Sequence, residues 1–447
     1  MAAEAGSASQ GIHSLPTELI CSIFFSVHSS IHRKAQKTAP VHTLTRVCRF
    51  WRALSQGLPE LWSDIRIFHC RPGHPDMVGE YLRRSNLLPV DIRFQVSSDI
   101  AANQMTVFWS TILAIWAVST RWRTLRIITT AKNFSAMEYN VGRKDAPLLE
   151  SLELRVSESQ SYQPSLSFGS MPLLGSLVVH EITPRISDTT QFFGQLETLD
   201  LLGASNCTHL VVDLAQRFED ASQDTQMIPR LRHLSLRSGI PSLHGAFGVA
   251  FKSYISSLRT LTLGDFTGHN FQTLCSLLSV PFLEELTIHD LGYGCWATFT
   301  ATLRDHHLTF PALRTLKLFS IDGGGFHRYL IDAFPALEHL SLLDTASAAF
   351  CSALSKPDSS PSYPVLWPQL RSLTLNNADY RVLCVVVEAR SAMGHAIEVL
   401  EVDTPLFIDA PSLQWLQKHV KTLRRTPLKS ANSSQGATAS LDYLNHI

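Results

Sequence analysis

Few residues of this chain have types and spacing that suit catalysis or ion binding. His306 and His307 follow Asp305, and all three are side chains that can coordinate zinc. Consecutive side chains point apart on a strand, however, and no further ligand follows at metal-binding spacing. The glycine run at 323–325 lacks the lysine and the serine or threonine that complete a phosphate-binding loop. We therefore predict a solvated loop at the histidines and a flexible turn at the glycines.

The eight cysteines give no better indication of a site. They stand singly in the sequence without a Cys-x-x-Cys pair, so they match neither the common zinc motifs nor the redox motif. The Gly-x-Ser-x-Gly and His-Glu-x-x-His patterns of many hydrolases and metalloproteases are also missing from the sequence. The sequence thus predicts a protein that is not an enzyme and that uses neither a metal nor another cofactor.

Composition narrows the class of partner. The chain has 38 basic and 38 acidic side chains, and this balance argues against nucleic acid or an anionic membrane as the partner. Residues 105–118 are apolar, but about 20 such residues are needed to span a bilayer, so we predict a buried helix there. The small polar residues at 1–11 do not form a signal peptide, which favours the cytoplasm, the nucleus or both.

A recurring pattern, Pro-x-Leu-x-x-Leu-x-Leu, sets the architecture of most of the chain. It starts, with occasional valine or isoleucine replacements, at Pro147, Pro172, Pro229, Pro281, Pro311, Pro335 and Pro368. Units without the proline start at Leu196, Leu258 and Ile397, and an earlier copy starts at Trp122. The leading apolar residues of successive units are 22 to 35 residues apart. A period in this range predicts stacked supersecondary units that bury their apolar faces on one another.

Each unit is predicted to begin with a short strand on its Leu-x-Leu, followed by a returning segment. Strand, return and next strand in one direction build a curved parallel sheet with helices outside. Before the repeats, residues 90–96 alternate as a strand and residues 101–119 follow a helical pattern. Helix-like segments after the first repeats are predicted at 210–218, 271–278, 381–390 and 411–420.

The predicted fold class is α/β, with five segments along the chain. Residues 1–11 form a disordered tail, and residues 12–62 a small helical domain. Residues 63–121 are a transition with capping repeats, residues 122–424 form the solenoid, and residues 425–447 form a second disordered tail.

The leucine period resembles the leucine-rich repeat family over roughly two-thirds of the chain. That family usually places an asparagine or cysteine eight residues after the leading leucine, where it joins neighbouring backbones. This sequence has other residues there, for example Ser157, Ala204, Leu291 and Pro405. The departure predicts turns that are held by packing instead, and repeats of unequal length.

The segment 12–62 has large apolar residues at helical spacing in two groups, separated by a polar and basic insert at 29–40. A segment of this size cannot bury so many apolar side chains in a core of its own, so it requires a neighbour. That neighbour is either a separate protein or the repeat array, which the helices would then cap. The first alternative requires that the helices remain partly uncovered by the rest of the chain.

The same segment resembles the F-box motif in the form common among fungal F-box proteins. The resemblance rests on Leu-Pro at 15–16, on Val-Cys-x-x-Trp at 47–51 and on their order, while the insert at 29–40 departs from it. It implies docking on a Skp-family adaptor and, through it, on a cullin–RING ubiquitin ligase. The residues that it assigns to the adaptor face are Leu15, Pro16, Leu19, Ile20, Ile23, Phe24, Leu44, Val47, Trp51 and Leu54.

On the repeat strands, side chains alternate between the core and the concave surface. The two outward columns mix both signs of charge, which suits a protein or peptide ligand better than phosphate. The residues predicted to contact a target are Leu202, Arg237, His289, Phe319 and Leu343. The three apolar ones stand where solvent is expected, which is typical of an interface, unless neighbouring loops cover them.

These observations predict a non-catalytic substrate receptor of a Skp–cullin–F-box ubiquitin ligase, with the helices on the adaptor and the repeats on a target protein. One alternative is a leucine-rich-repeat scaffold without a ligase role. Another is an enzyme whose site in 62–128 has no recognisable motif.

Overall fold

A computed structural model describes most of the chain. The described residues are 15–32, 40–140, 143–157, 165–186, 194–203, 230–237, 257–264, 280–321, 326–345, 347–355, 365–376, 379–403 and 410–426. The predicted tail at 1–11, the predicted helices at 210–218 and 271–278, the glycine run at 323–325 and most of the insert at 29–40 lie outside them.

Among the described residues, strands alternate with helices at 64–140 and at 285–426. The strands are β1 (Asp64–Ile67), β2 (Val90–Val96), β3 (Trp122–Thr130), β4 (Ser151–Ser157), β5 (Ser165–Phe168), β6 (Ser176–His180), β7 (Thr183–Ile186), β8 (Thr198–Leu202), β9 (His233–Arg237), β10 (Thr260–Gly264), β11 (Glu285–His289), β12 (Thr315–Phe319), β13 (His339–Leu343), β14 (Ser372–Leu375), β15 (Val399–Asp403) and β16 (Thr422–Thr426). The helices are α1 (Thr17–His32), α2 (Pro40–Val47), α3 (Arg49–Gln56), α4 (His74–Arg84), α5 (Met105–Trp116), α6 (Ala131–Asn140), α7 (Tyr293–Asp305), α8 (Tyr329–Ala333), α9 (Ser347–Ser355), α10 (Tyr380–Ala392) and α11 (Ala410–His419). Short 3-10 turns occur at Pro59–Trp62, Ala102–Gln104 and Ser119–Arg121.

Within the described residues, 14 of the strands form one open sheet in the order β1-β2-β3-β4-β6-β8-β9-β10-β11-β12-β13-β14-β15-β16. Every pair of neighbours in this sheet is parallel. The remaining two, β5 and β7, pair with each other. The prediction of an α/β fold with a large parallel sheet is confirmed, and the sheet is longer than the repeats at 122–424 because β1 and β2 extend it.

The core lies on one face of the sheet, where the leucines of the repeat meet the helices. Register is the reason: Leu286 aligns with Leu316, and Leu316 with Leu340, so identical positions stack from strand to strand. All three side chains are buried. Helix α5 occupies the apolar stretch at 105–118 and buries Phe108 and Ile112 against this core, as predicted. The opposite face, which we call the open face, carries the side chains that alternate with these leucines.

The turns after the strands are joined by a main-chain ladder. Glu181, Asp290 and Ser320 follow their strands directly with φ of 50° to 58°, and Gly203 with φ of 69°. Each N–H donates to the carbonyl of the last residue of the next strand at 2.8 to 3.0 Å. Asp344 repeats the conformation but donates to the side-chain oxygen of Asn376 at 2.6 Å. The expectation that packing alone holds these turns was therefore incomplete. The main-chain N–H of the residue in the left-handed conformation makes the link between neighbouring turns that an asparagine side chain makes in the usual repeat.

Charges of alternating sign mark the start of the strands. The residue after the leading apolar position is Arg259, Glu284, Arg314, Glu338, Arg371 and Glu398 in successive repeats. Arg314 and Glu338 approach to 3.1 Å in an exposed pair, and Arg259 and Glu284 to 3.3 Å. Such exposed pairs contribute at most about 1 kcal/mol each, so they add little to the stability of the sheet.

Arg390 joins α10 to the preceding strand connection. Its side chain is fully buried and donates to the carbonyls of Leu366, Trp367, Leu370 and His395 at 2.5 to 3.2 Å. Burial lowers the pKa of Arg390 to about 10, so the guanidinium stays charged at neutral pH. One cation therefore binds four carbonyl groups, three before α10 and one after it.

At the end of the sheet, the predicted helix at 411–420 is present as α11. The chain then adds the unpredicted strand β16, which ends at Thr426 and so passes the predicted boundary at 424. Residues 427–447, the rest of the predicted tail, lie outside the described residues.

Candidate functional site

The N-terminal helices place the ten proposed adaptor-binding residues in three environments. Four side chains are buried within the chain: Ile20, Phe24, Leu44 and Trp51. Two are half-buried: Ile23 and Leu54. Four are exposed: Leu15, Pro16, Leu19 and Val47. The first group holds the helices together, and only the exposed and half-buried residues are available to a partner.

Phe50 is an exposed apolar residue that the sequence reasoning did not select. It stands in α3 next to Trp51, whose ring lies 4.8 Å from that of Phe24 in an edge-to-face contact. A helical pattern that assigns Trp51 to the core places the preceding residue away from it, so the signal was present in the sequence. We refer to Leu15, Leu19, Val47 and Phe50 as the exposed apolar set.

Specific contacts fix the helices to each other and to the start of the sheet. The Cys48 sulfur accepts a hydrogen bond from the Trp51 amide at 3.4 Å and caps α3. The Trp62 indole N–H donates to the Ser55 carbonyl at 2.8 Å. The Tyr81 hydroxyl lies 3.1 Å from His42 Nε2, and its ring packs edge-on against Trp62. Trp62 and Tyr81 thus connect the helices to β1 and α4, and the exposed apolar set is presented from a fixed base.

The open face brings the five predicted target-contact residues into one row. Register aligns Leu202 with Arg237, Arg237 with Gly264, Gly264 with His289, His289 with Phe319, and Phe319 with Leu343. Leu202, Arg237, His289 and Phe319 are half-buried. Leu343 is buried, so the expectation of an apolar side chain in solvent does not hold at that position.

Polar side chains in the middle of this face bind one another. Asp200 accepts from His180 Nε2 at 3.0 Å and from Arg237 at 3.3 Å. Burial raises the pKa of Asp200, but the hydrogen bond from His180 and the charge of Arg237 outweigh this effect and lower the pKa below its usual value, so the carboxylate is ionised. Burial lowers the pKa of His180, which is therefore neutral at pH 7. With His180 bonded to the acid and not to a serine, the cluster lacks the geometry of an activated nucleophile.

Farther along the row, His289 and Phe319 form an aromatic pair. Their rings stack with centroids 4.4 Å apart and planes 14° apart. Gly264, in the strand before His289, makes room for it: a Cβ there would lie 3.0 Å from the Cβ of His289 and 3.3 Å from Arg237. Burial, with the charges of Arg237 and Lys317, lowers the pKa of His289 to about 4, so this pair is an uncharged aromatic surface.

Arginines occupy the open face of β2, β3 and β4; the outward columns of the sequence reasoning included Arg155 on β4 but not Arg93 on β2 or Arg126 on β3. Arg93 aligns with Arg126, and Arg126 with Glu153. Glu153 lies 3.1 Å from Arg126 and 2.5 Å from Arg155. Arg93 forms no ion pair with any residue that the structure describes. We call Arg93, Arg126, Arg155 and Glu153 the arginine cluster.

Neither metal nor membrane chemistry emerges from the described part of the chain. His306 follows the end of α7, His307 has φ of 48°, and the described residues contain no group of three or more metal-ligating side chains. Among those same residues, no helix combines the length and the hydropathy that crossing a bilayer requires.

Comparison with protein-family models and with curated proteins gives no match for this chain.

Proposed function

We propose that the protein is a non-catalytic substrate receptor of a cullin–RING ubiquitin ligase, in the cytoplasm, the nucleus or both. The helical segment at 12–62 is an F-box that binds a Skp-family adaptor, and the sheet with its helices is an irregular leucine-rich-repeat solenoid that binds a target protein. The resemblance at 15–54 supplies the identity of the adaptor.

The exposed apolar set is the observation that carries the proposal. Leu19 is 51 % exposed and Val47 is 54 % exposed, although each belongs to a helix that also carries buried apolar residues. Covering such a half-exposed side chain stabilises a complex by about 1 kcal/mol, so the four together contribute about 4 kcal/mol to an interface. Ile23 and Leu54, half-buried at the margin, extend the apolar area.

The proposed mechanism is positional. A receptor that holds adaptor and target at once raises the effective concentration of target lysines near the ubiquitin-conjugating enzyme. It supplies no reactive group, and the His180–Asp200–Arg237 cluster fits this role because its members bind one another. The connection through Trp62 and Tyr81 fits it too, since a fixed joint between adaptor site and target site defines where the target lies.

Co-purification with a Skp-family adaptor tests the proposal. Trp51 is buried, so its replacement would disturb the helices; Leu19→Asp and Val47→Asp are better probes. Each places a charge in the interface without disturbing the chain's own core, and we expect each to weaken adaptor binding at least about tenfold. The matched control is Leu113→Asp on α5, because Leu113 is 53 % exposed and lies outside the helical segment.

Two outcomes would contradict the proposal. One is adaptor binding that survives Leu19→Asp combined with Val47→Asp in a folded protein. The other is a wild-type chain that binds no Skp-family adaptor at all. Either result would favour the repeat scaffold, in which the contacts of Trp62 and Tyr81 simply fix the helices as a cap.

A further inference from the structure

The open face divides into three zones of different chemistry. The arginine cluster on β2–β4 has three cations and one acid among its members, a surplus of two positive charges. In the middle, from β6 to β10, Asp200 and Arg237 cancel. Toward β11 and β12 the face becomes aromatic with His289 and Phe319, and the neighbouring Lys317 is held by Glu285 at 2.7 Å.

The surplus charge is specific to the first zone. Asp91, the other acid on these strands, is bound by Arg123 and Thr124 at the strand start. Arg126 and Arg155 share Glu153, which leaves Arg93 without a described counterion. Burial lowers the pKa of Arg126, and the charges of Arg93 and Arg155 lower it further against the effect of Glu153. The acidic side chains of this zone therefore do not balance its three arginines, and carboxylates of a partner would provide the missing negative charge.

We infer that the target carries an acidic segment of Asp and Glu residues that binds the arginine cluster, followed or preceded by an apolar residue that packs on His289 and Phe319. The inference rests on the proposed function, since it names the chemistry of the target. It commits to a polypeptide because an arginine cluster and a separate aromatic pair on one face of a chain with no overall basic excess suit carboxylates plus an apolar anchor better than a phosphate backbone.

The separation of the two zones sets the spacing in the target. From β3 to β12 the sheet takes seven steps, through β4, β6, β8, β9, β10 and β11. At roughly 4.8 Å per step the zones lie at most about 34 Å apart. Extended chain covers about 3.3 Å per residue, so about ten residues separate the acidic segment from the apolar anchor.

The test uses the full chain and a fluorescent peptide with four glutamates, a spacer of about ten glycine and serine residues, and one phenylalanine. Fluorescence anisotropy should show binding that weakens with salt. Arg93→Glu should weaken peptide binding at least about tenfold, because it replaces a half-buried positive charge by a negative charge that repels the glutamates of the peptide. Arg424→Glu is the matched control: Arg424 lies in the same column, on the exposed last strand of the described sheet, and its replacement should change binding less than about twofold.

Changes in the peptide keep the test independent of folding. Replacing the glutamates by glutamines should weaken binding at least about tenfold, and shortening the spacer to about three residues should remove the benefit of the phenylalanine. The inference is overturned if the glutamine peptide binds equally well, if spacer length has no effect, or if an oligo-dT strand competes more strongly than the peptide.

The two proposals fail in different ways. Val47→Asp should leave peptide binding unchanged, and Arg93→Glu should leave adaptor binding unchanged. If the wild-type protein co-purifies with the adaptor but does not bind the peptide, only the acidic-target inference is overturned. Peptide binding without any adaptor binding would overturn the ligase role and leave the chemistry of the open face standing.

Discussion

The helical segment at 15–62 and the repeat sheet bury their apolar residues to very different degrees. In the repeats, Leu313, Leu316 and Leu318 are fully buried, and the same positions are buried in each neighbouring strand. In the helices, Leu19 and Val47 remain about half exposed beside buried Phe24 and Leu44. Both regions are rich in large apolar side chains, so composition alone does not explain the contrast.

The difference follows from the number of neighbours. Each inner repeat has another repeat on both sides, so the leucines of its strand pack in one core with the leucines of both neighbours. The helical segment meets the rest of the chain on one side, through Trp62 and Tyr81. Its opposite side has no counterpart within the described residues, and an apolar surface of this kind is typical of a partner site.

The largest effect on stability is expected at Arg390, whose buried cation binds the segments on both sides of α10 to each other. Arg390→Ala would leave the carbonyls of Leu366, Trp367, Leu370 and His395 without this donor and open a cavity. We expect a loss of about 4 kcal/mol in the free energy of unfolding, measured by urea denaturation. Arg381→Ala, at the exposed start of the same helix, is the control. Equal losses for both variants would show that the buried cation has no special role.

A smaller effect compares the two regions directly. Leu316→Ala removes a fully buried leucine and should cost about 3 kcal/mol, whereas Leu19→Ala removes a half-exposed one and should cost less than about 1 kcal/mol. Thermal and urea denaturation of the isolated chain measure both. A loss at Leu19 that matches the loss at Leu316 would mean that the chain itself covers α1, and the contrast between the regions would disappear.

The smallest effect is the contribution of one open-face residue, His289, to the pH dependence of the free energy of unfolding. Because the pKa of His289 is lowered to about 4 in the folded state, the unfolded chain takes up the proton first as the pH falls below about 6.5. Stability is therefore constant above that pH and decreases between about 6.5 and 4. The slope should be about 1 kcal/mol per pH unit for this imidazole.

His289→Gln tests this slope, because it removes the titrating group and keeps a polar side chain. Urea denaturation at pH 7 and pH 5 should show a smaller difference for the variant than for the wild type. An unchanged difference would assign the pH dependence to other groups, of which His180 and His42 are candidates because burial lowers the pKa of each.

The repeat sheet was predictable from the sequence because its signal is periodic. The spacing of Leu258, Leu261 and Leu263 defines both a strand and its inward face, and the structure aligns Leu261 and Leu263 with their counterparts on both sides. The outward columns followed from the same alternation. The buried helix at 105–116 and the helix at 380–392 also followed from apolar spacing.

Features that depend on one contact, rather than on a period, were not predictable. The residues in the left-handed conformation include glutamate, aspartate and serine, so no shared residue type announces the ladder. Arg126 and Arg93 lie before the regular repeats, and only the register of β2 and β3 shows that they continue the outward column. At Val47 and Leu44, helical spacing gave the apolar positions but not which of them the chain itself would cover.

The last strand of the described sheet has a consequence for how molecules of this protein meet. A sheet edge offers backbone groups that can pair with a strand of another copy, which leads to fibres. Strand β16 places exposed Arg424 and Arg425 on that border. Two copies that approached through this strand would bring these like charges together. The two arginines therefore disfavour edge-to-edge association, which an uncharged edge strand would allow.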